Sequence, residues 1–259
     1  MLADFHNHSC LSPCGSLNLS PRVLAETAAA RGIGALALTD HNCAKNCPAF
    51  GFHCGRLGVI PFYGLEVTTL EEVHMVCLFS ELDAALSFGE FIYSILMPLP
   101  NDPEKTGDQV YVDEDDNILG EMEYFLSNAA DVGVDGLEPL AAKYGGLVIP
   151  AHVDRPAFSM SSQLGVLVRG PWAAVECTRL PPVIPRPPPA GGGPAPAPLP
   201  LDTLGYPLVT GSDAHYIEHV ARRPFELDAV AGALQPDGPG APADLAALRQ
   251  ALSLREKQK

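Results

Sequence analysis

Short apolar runs recur along this chain, separated by amphipathic stretches, and most of them close on histidine or carboxylate side chains. Met1-Leu2-Ala3 leads straight into Asp4-Phe5-His6-Asn7-His8, and on a strand His6 and His8 point to the same side. After a loop, Ser20-Pro21 offers an N-cap followed by proline in the first helical position. Val23, Leu24 and Ala28 share one face of the predicted helix, which runs to about Arg31 and stops at Gly32. Ile33 to Thr39 then reads as a buried strand ending in Asp40-His41-Asn42. The order is β, α, β, and each strand delivers residues that suit a metal.

The same rhythm continues. Val59 to Tyr63 runs into Gly64-Leu65-Glu66, and Glu72 to Phe79 is a strand in which His74 shares a face with Val76 and Leu78. Ser80-x-x-Asp83 resembles a capping box ahead of a helix carrying Leu82, Ala85, Leu86, Gly89, Ile92, Tyr93 and Leu96 at helical spacing. Residues 98–121 interrupt the pattern as an excursion: Gln109 to Val112 and Asn117 to Leu119 predict a hairpin around Asp113 to Asp116. Asp113, Asp115 and Asn117 fit the start of a calcium loop. Ile118 stands where the loop needs glycine and Tyr124 where it needs glutamate, so a solvated turn is the better account. A helix over about Asp135 to Tyr144 ends at Gly145-Gly146. Three further strands follow: Leu147 to Ala151 delivers His152, Trp172 to Val175 delivers Glu176, and Pro207 to Thr210 delivers Gly211-Ser212-Asp213-Ala214-His215. Pro181 to Pro200 is a low-complexity proline, glycine and alanine tract that reads as a mobile surface insertion, because strands on both sides carry the same kinds of residue. From Pro242 the chain predicts a helix with Leu245, Leu248 and Leu252 on one side, then a basic tail.

Composition narrows the class. With 259 residues, 47% of them hydrophobic, the chain can bury one large α/β core, and the expectation is a single domain over 1–259. Its 31 acidic against 16 basic residues give a formal charge of −15, which repels an anionic membrane surface and argues against long nucleic acid as a partner. A phosphorylated substrate would then need local cations, which bound metal supplies. No apolar run approaches the roughly 20 residues of a membrane span. The chemistry begins at Asp4, leaving no room for a leader, so cytoplasm is the expected location. Seven cysteines, an odd number set partly among histidines, fit a reducing compartment, and Cys77 and Cys177 read as small buried hydrophobes.

Collected in order, the strand ends give His6, His8, Asp40, His41, Glu66, His74, His152, Glu176, Asp213 and His215. In a barrel of parallel strands the carboxyl ends meet on one face, where active sites are built. Six of the eight histidines fall there, more donors than one ion needs, and the imidazole and carboxylate mixture suits zinc, manganese or iron.

These residues resemble the PHP domain, the polymerase and histidinol phosphatase family. Asp4-x-His6-x-His8-Ser9, Thr39-Asp40-His41-Asn42, Gly64-Leu65-Glu66, His152 after an apolar strand, and Ser212-Asp213-Ala214-His215 look like its successive motifs. The resemblance implies a distorted seven-stranded (β/α) TIM-like barrel, two or three divalent transition metal ions, and hydrolysis of phosphate esters. It further implies that His6, His8, Glu66 and Asp213 hold a first metal and that Glu66 bridges to a second completed by His74 and His152. A third would lie between His41 and His215 with a ligand from the loop after His8. Family members usually offer aspartate or histidine in that loop, whereas this chain has Ser12-Pro13-Cys14-Gly15-Ser16. Either Cys14 is a thiolate ligand, favouring zinc or iron, or the third site is weak or empty.

Cys10, Cys14, Cys43 and Cys47 lie in two predicted loops at the same mouth, which raises a separate zinc or iron–sulfur site. Their spacing is Cys-x3-Cys twice, not the diagnostic Cys-x2-Cys, so three are treated as packing thiols. Asp4 and Glu176 are expected to orient ligands from behind. Asp40 is either such a partner or a general acid near the leaving group. Arg155 is placed to reach a substrate phosphate, with an ion pair to a carboxylate as the competing use; Lys45 and Arg179 are weaker versions. His53 and His219 fall outside the pattern. The expected activity is metal-dependent hydrolysis of a small phosphate monoester by an activated hydroxide. Its alternatives are a phosphodiesterase or nuclease acting on small nucleotides, and a metal-binding regulatory protein that meets a partner through the Pro-rich insertion.

Overall fold

In chain order the strands are β1 (Leu2–Asp4), β2 (Ile33–Leu38), β3 (Ile60–Thr68), β4 (His74–Phe79), β5 (Val110–Val112), β6 (Ile118–Glu121), β7 (Leu147–Pro150), β8 (Val175–Cys177), β9 (Val183–Ile184), β10 (Leu199–Pro200), β11 (Leu208–Thr210) and β12 (Phe225–Glu226). The helices are α1 (Pro21–Ala30), α2 (Cys47–Leu57), α3 (Leu82–Ser94), α4 (Pro103–Thr106), α5 (Val134–Lys143), α6 (Met160–Gln163), α7 (Ala231–Leu234) and α8 (Leu245–Leu254). This computed structural model describes every residue except 187, 191, 230, 236, 239, 240 and 255–259. The expected basic tail and two positions of the Pro-rich tract therefore lie outside the described residues.

Strand parity sorts the core into two layers, because alternate side chains leave opposite faces of a sheet. Ala35 and Ala37 of β2, Ile60 and Phe62 of β3, Val76 and Leu78 of β4, and Leu147 and Ile149 of β7 share an inner cluster with Phe5 and Val209. The intervening residues, among them Leu36, Leu65, Cys77 and Val148, join an outer cluster with Leu24 and Ala28 of α1, Phe50 of α2 and Phe88 of α3. Leu248 and Leu252 of α8 add to the inner cluster. At the helix start, Ser20 accepts a hydrogen bond from Val23 N with Pro21 at the first position, as the sequence predicts.

The sheet itself differs from a closed barrel of seven parallel strands. Six strands pair in the order β12-β1-β2-β3-β4-β7, while β8 and β11 form a separate parallel pair. Within the six-stranded sheet only β1, β2 and β3 run parallel to one another; β12 is antiparallel to β1, and β4 is antiparallel to both β3 and β7. The reason is length: only residues 69–73 join β3 to β4, and a parallel return needs a crossover of a dozen or more residues. The β8–β11 pair meets both sides of the sheet through backbone bonds beyond the strands. Ala173 N to Val148 O (3.1 Å) and Val153 N to Glu176 O (2.8 Å) lie on one side; Asp213 N to His6 O (2.8 Å) and His8 N to Ala214 O (2.9 Å) lie on the other.

Local expectations divide similarly. Helix α2 is absent from the sequence reading because Gly51 and Gly55 weaken its helical signal, so Cys47, expected in a loop, opens a helix. Helix α3 starts from Glu81 with no side-chain cap, not from a box at Ser80. The excursion does form the hairpin β5–β6. Asp113 closes its turn by accepting from Asp115 N (3.0 Å), Asn117 N (2.8 Å) and Asn117 Nδ2 (2.9 Å), which uses the carboxylate without calcium. The hairpin is tied inward by Val112 N to Asn46 Oδ1 (2.9 Å). The Pro-rich tract is paired at its base, β9 against β10. Among the described residues no helix is long and apolar enough to cross a membrane.

Candidate metal centre

The antiparallel turn of β4 decides where the site can form. His74 is the first residue of β4, and reversal brings it level with Thr68 at the carboxyl end of β3. Glu66 lies two residues earlier on β3 and has the inward parity of Ile60 and Phe62. Five imidazoles surround this one carboxylate, which is 1% exposed. Glu66 Oε1 lies 3.2 Å from His6 Nε2, 2.9 Å from His74 Nδ1 and 3.2 Å from His152 Nε2. Glu66 Oε2 lies 3.1 Å from His41 Nδ1 and 3.4 Å from His8 Nε2. Asp213 Oδ1 sits 3.3 Å from His8 Nε2, 3.7 Å from His6 Nε2 and 3.4 Å from His215 Nδ1.

Four overlapping triads place one donor atom each within 4.8 Å of the others: His6-His8-Asp213, His6-Glu66-His152, His41-Glu66-His74 and His8-His41-His215. The donors fit a divalent metal by their own accounting. His41 Nδ1, His74 Nδ1 and Glu66 Oε2 are buried with no hydrogen-bond partner although they lie close together, and buried polar atoms are rarely left without a protein, water or ion partner. Burial raises the carboxyls of Glu66 and Asp213, but His74 and His6 in the first case, and His6 and His8 in the second, hold both well below the usual carboxylate range. Burial and then His215 push His8 down to about 3, and burial takes His41 well below its ordinary value against the pull of Glu66. Ionised carboxylates and neutral imidazoles are the forms that ligate. His6 is the exception: burial opposes its protonation, but Glu176, Glu66 and Asp213 carry it well above the ordinary value.

Residues 4–115 match the PHP domain family. That stretch contains His6, His8, His41, Glu66 and His74; His152, Asp213 and His215 lie beyond it. No curated protein matches the sequence. Among solved structures the chain is similar to the lesion-specific endonuclease Q of Pyrococcus furiosus, with TM-score 0.56 and 16% identity over 88% of this chain and 53% of that one. It is also similar to a protein of Bifidobacterium adolescentis described as a metal-dependent phosphoesterase (TM-score 0.53, 15% identity, 97% and 95% covered). A third is an amidohydrolase of Chromobacterium violaceum with bound sulfate and no metal (0.53, 16%, 96% of each chain). At these identities the likeness is one of fold. The chain spans about half the length of the endonuclease and nearly all of the other two.

Around these donors a second set of side chains fixes ring orientation. Glu176 lies 3.0 Å from His6 Nδ1 through either oxygen and also accepts from His152 N at 3.1 Å. In its neutral form, with Nδ1 donating to this carboxylate, His6 presents the Nε2 lone pair to the centre. His8 reaches the same state by a relay. Ser12 Oγ donates to Asp40 Oδ1 (2.7 Å), so it must accept from His8 Nδ1 (2.9 Å), which again leaves Nε2 free. Asp40 is buried and also accepts from Ser9 N and Ser9 Oγ, both at 2.7 Å. Asn42, His152 and Asp213 adopt φ of 48°, 30° and 48°. Such left-handed backbone costs about 1–3 kcal/mol each in non-glycine residues and clusters at functional sites.

The remaining sequence candidates fall in different places. Cys14 is exposed and joins none of the four triads; His8 stands with His41 and His215 instead. Burial at its sulfur and then the charges of Glu66 and Asp213 push the Cys14 thiol up to about 12, so without a metal beside it the thiolate is unpopulated at neutral pH. Cys10, Cys43 and Cys47 are buried, and among the described residues no cysteine joins a ligand group. Arg155 Nη1 donates to Asp213 Oδ2 at 2.7 Å, while Asp154 is taken by Thr178. Asp4 accepts from Ser212 N (3.0 Å). Lys45 lies over the Tyr111 ring, 4.5 Å from its centroid, and His53 Nε2 lies 2.8 Å from Glu114 O. Two site residues escape the sequence reading: Ser12, whose role needs the folded loop, and Phe158, whose ring stacks on His74 at 4.8 Å. Neither carries a periodic or motif signal.

Proposed function

We propose that this protein hydrolyses phosphate esters of small molecules with the help of two or three divalent transition metal ions, zinc, manganese or iron. The observation that carries the reading is the single buried Glu66 carboxylate within 3.4 Å of five imidazoles, three of which (His41, His74 and His152) have an Nδ1 with no hydrogen-bond partner. On this reading His6, His8, Glu66 and Asp213 hold one metal, and Glu66, His74 and His152 a second. His41 and His215 would hold a third. The whole chain acts as one PHP-like domain, with β1, β2, β3, β4, β7, β8 and β11 as the seven strands of its barrel.

Divalent metal in such a site supplies Lewis acidity, lowering the pKa of water and neutralising phosphoryl charge. The chain's own residues do the rest. Glu176 and Ser12 keep the imidazoles of His6 and His8 turned inward. Asp40, with three hydrogen bonds from Ser9 and Ser12, holds the loop that carries them, which supports a positioning role over that of general acid. Arg155 keeps one guanidinium nitrogen on Asp213 and binds a phosphoryl oxygen with N–H groups left over.

A phosphate monoester is the favoured substrate class. A nuclease is the second reading, favoured by endonuclease Q, which has been solved with a 27-mer duplex bearing an abasic lesion at the active site. A net charge of −15 is a property of the whole surface and no longer excludes nucleic acid when a fold neighbour takes a duplex. The test is the metal-loaded protein against small monoesters, dinucleotide diesters and an abasic duplex, before and after chelation. Hydrolysis of monoesters, lost on chelation and restored by metal, is expected. Cleavage of the duplex alone selects the nuclease, and full turnover without metal defeats both readings.

A further inference from the structure

Phe158 is held in an unfavoured backbone conformation beside the candidate centre and is left partly in the open. Its φ is 54° and it is 39% exposed. A left-handed backbone costs a bulky residue free energy that incomplete burial does not return. One face of its ring is occupied: it lies 4.8 Å from the His74 ring at an interplanar angle of 20°, and His74 N donates to Phe158 O at 3.0 Å.

The loop that carries this ring is fixed at both ends. Asp154 accepts from Thr178 N (2.7 Å) and Thr178 Oγ1 (2.8 Å). Ser159 Oγ donates to Arg155 O at 2.6 Å and caps the short helix that follows. Between these anchors, Arg155 reaches Asp213 on one part of the centre and Phe158 covers His74 on another. A single braced loop thus brings a guanidinium and a phenyl ring to one site. Covering His74 alone would need no exposed aromatic surface, since an aliphatic side chain shields an imidazole as well.

We propose that Phe158 determines specificity: its open surface stacks against an aromatic ring in the alcohol part of the substrate, while Arg155 on the same loop takes the phosphate. The substrate class is therefore a phosphate ester whose alcohol carries a planar ring, a nucleoside being one such alcohol. This rests on the phosphoesterase reading above and deepens it. Aromatic faces in contact add to area burial, so the preference is readable as a ratio of affinities.

The test uses the full chain reconstituted with manganese and two non-hydrolysable ligands, phenylpropylphosphonate and pentylphosphonate, titrated by calorimetry. Turnover of phenylethyl phosphate and butyl phosphate is measured beside them. The native protein should bind the phenyl ligand about tenfold more tightly than the pentyl one. Phe158→Ala should bring that ratio close to one through loss on the phenyl ligand, and Phe158→Trp should keep it. Metal content is measured in each variant. Should Phe158→Ala lose metal, Phe158→Leu, which keeps His74 covered, is read in its place and must also lose the preference. A native ratio near one, or an equal loss on both ligands, overturns the proposal. If no ester turns over while the phosphonate preference and its dependence on Phe158 persist, the phosphoesterase reading falls and the platform stands.

Discussion

Gly211, one residue past β11, is the position where a single methyl group should do most harm to the centre. A Cβ built there would lie 2.3 Å from Glu176 Oε2, 2.7 Å from Glu176 Cδ and 2.8 Å from His6 Cβ. Restoring ordinary contact of about 3.5 Å requires the carboxylate to retreat by roughly 1 Å. Both Glu176 oxygens now lie 3.0 Å from His6 Nδ1, so such a retreat takes them out of hydrogen-bonding range. The conformation does not require glycine, because Gly211 is not among the glycines with positive φ. Gly211→Ala should therefore cost about 1–3 kcal/mol through overpacking, and metal affinity should fall about 10–100-fold through the loss of His6 orientation. Gly55→Ala is the control: an added Cβ in mid-α2 meets nothing within 4 Å, and removing a helical glycine should gain about 0.5–1 kcal/mol. Denaturant unfolding and metal titration of both variants make the assay. Unchanged stability and affinity in Gly211→Ala would refute the steric argument, and lost stability with intact affinity would show that Glu176 does not set His6.

Asp40→Asn removes the ionic acceptor that Ser9 and Ser12 share, and should lower metal affinity about tenfold or more through His8; an unchanged titration contradicts the relay through Ser12. Cys14→Ser should leave the metal content unaltered, because the thiol belongs to none of the ligand triads; loss of one equivalent by elemental analysis would restore it as a ligand. Tyr63 tests the pH dependence away from the centre. Burial and then Cys47 and Cys54 push its hydroxyl up from 10 to about 12, so the folded state holds this proton more tightly than the unfolded state. The contribution is complete below pH 10 and is lost as pH rises from 10 to about 12. Tyr63→Phe should make the fall in stability over that window shallower, and parallel curves for the two proteins would count against the assignment.

Much of the centre was legible because a strand end is a local feature. His6, His8, Glu66 and Asp213 each follow an apolar run, and parity alone aims Glu66 and His74 inward. The sense of β4 was also within reach, since the short link after Thr68 forbids a parallel return. Helix α2 was hidden by its two interior glycines. The relay from Asp40 through Ser12 to His8 was hidden for another reason: it depends on how a loop closes in space, and hydroxyl spacing in a loop has no period. Arg155 shows a third limit. Its proximity to His152 could be read, but the choice between Asp154 and Asp213 depended on Thr178, distant in sequence, having taken Asp154.

The two backbone bonds between His6 or His8 and Asp213 or Ala214 join the first strand to a segment more than 200 residues later. Contacts of that separation form late and open early, because closing so long a loop is entropically costly. His6, His8 and Asp213 straddle this junction, whereas Glu66 and His74 belong to one hairpin. Metal bound by the first group would work as a clasp on the chain's seam, so loading should slow amide hydrogen exchange at His8 and Asp213 far more than along β3 and β4. Uniform slowing across both regions would count against that role. His6, His8 and Asp213 would then also hold the first strand against the segment after β11.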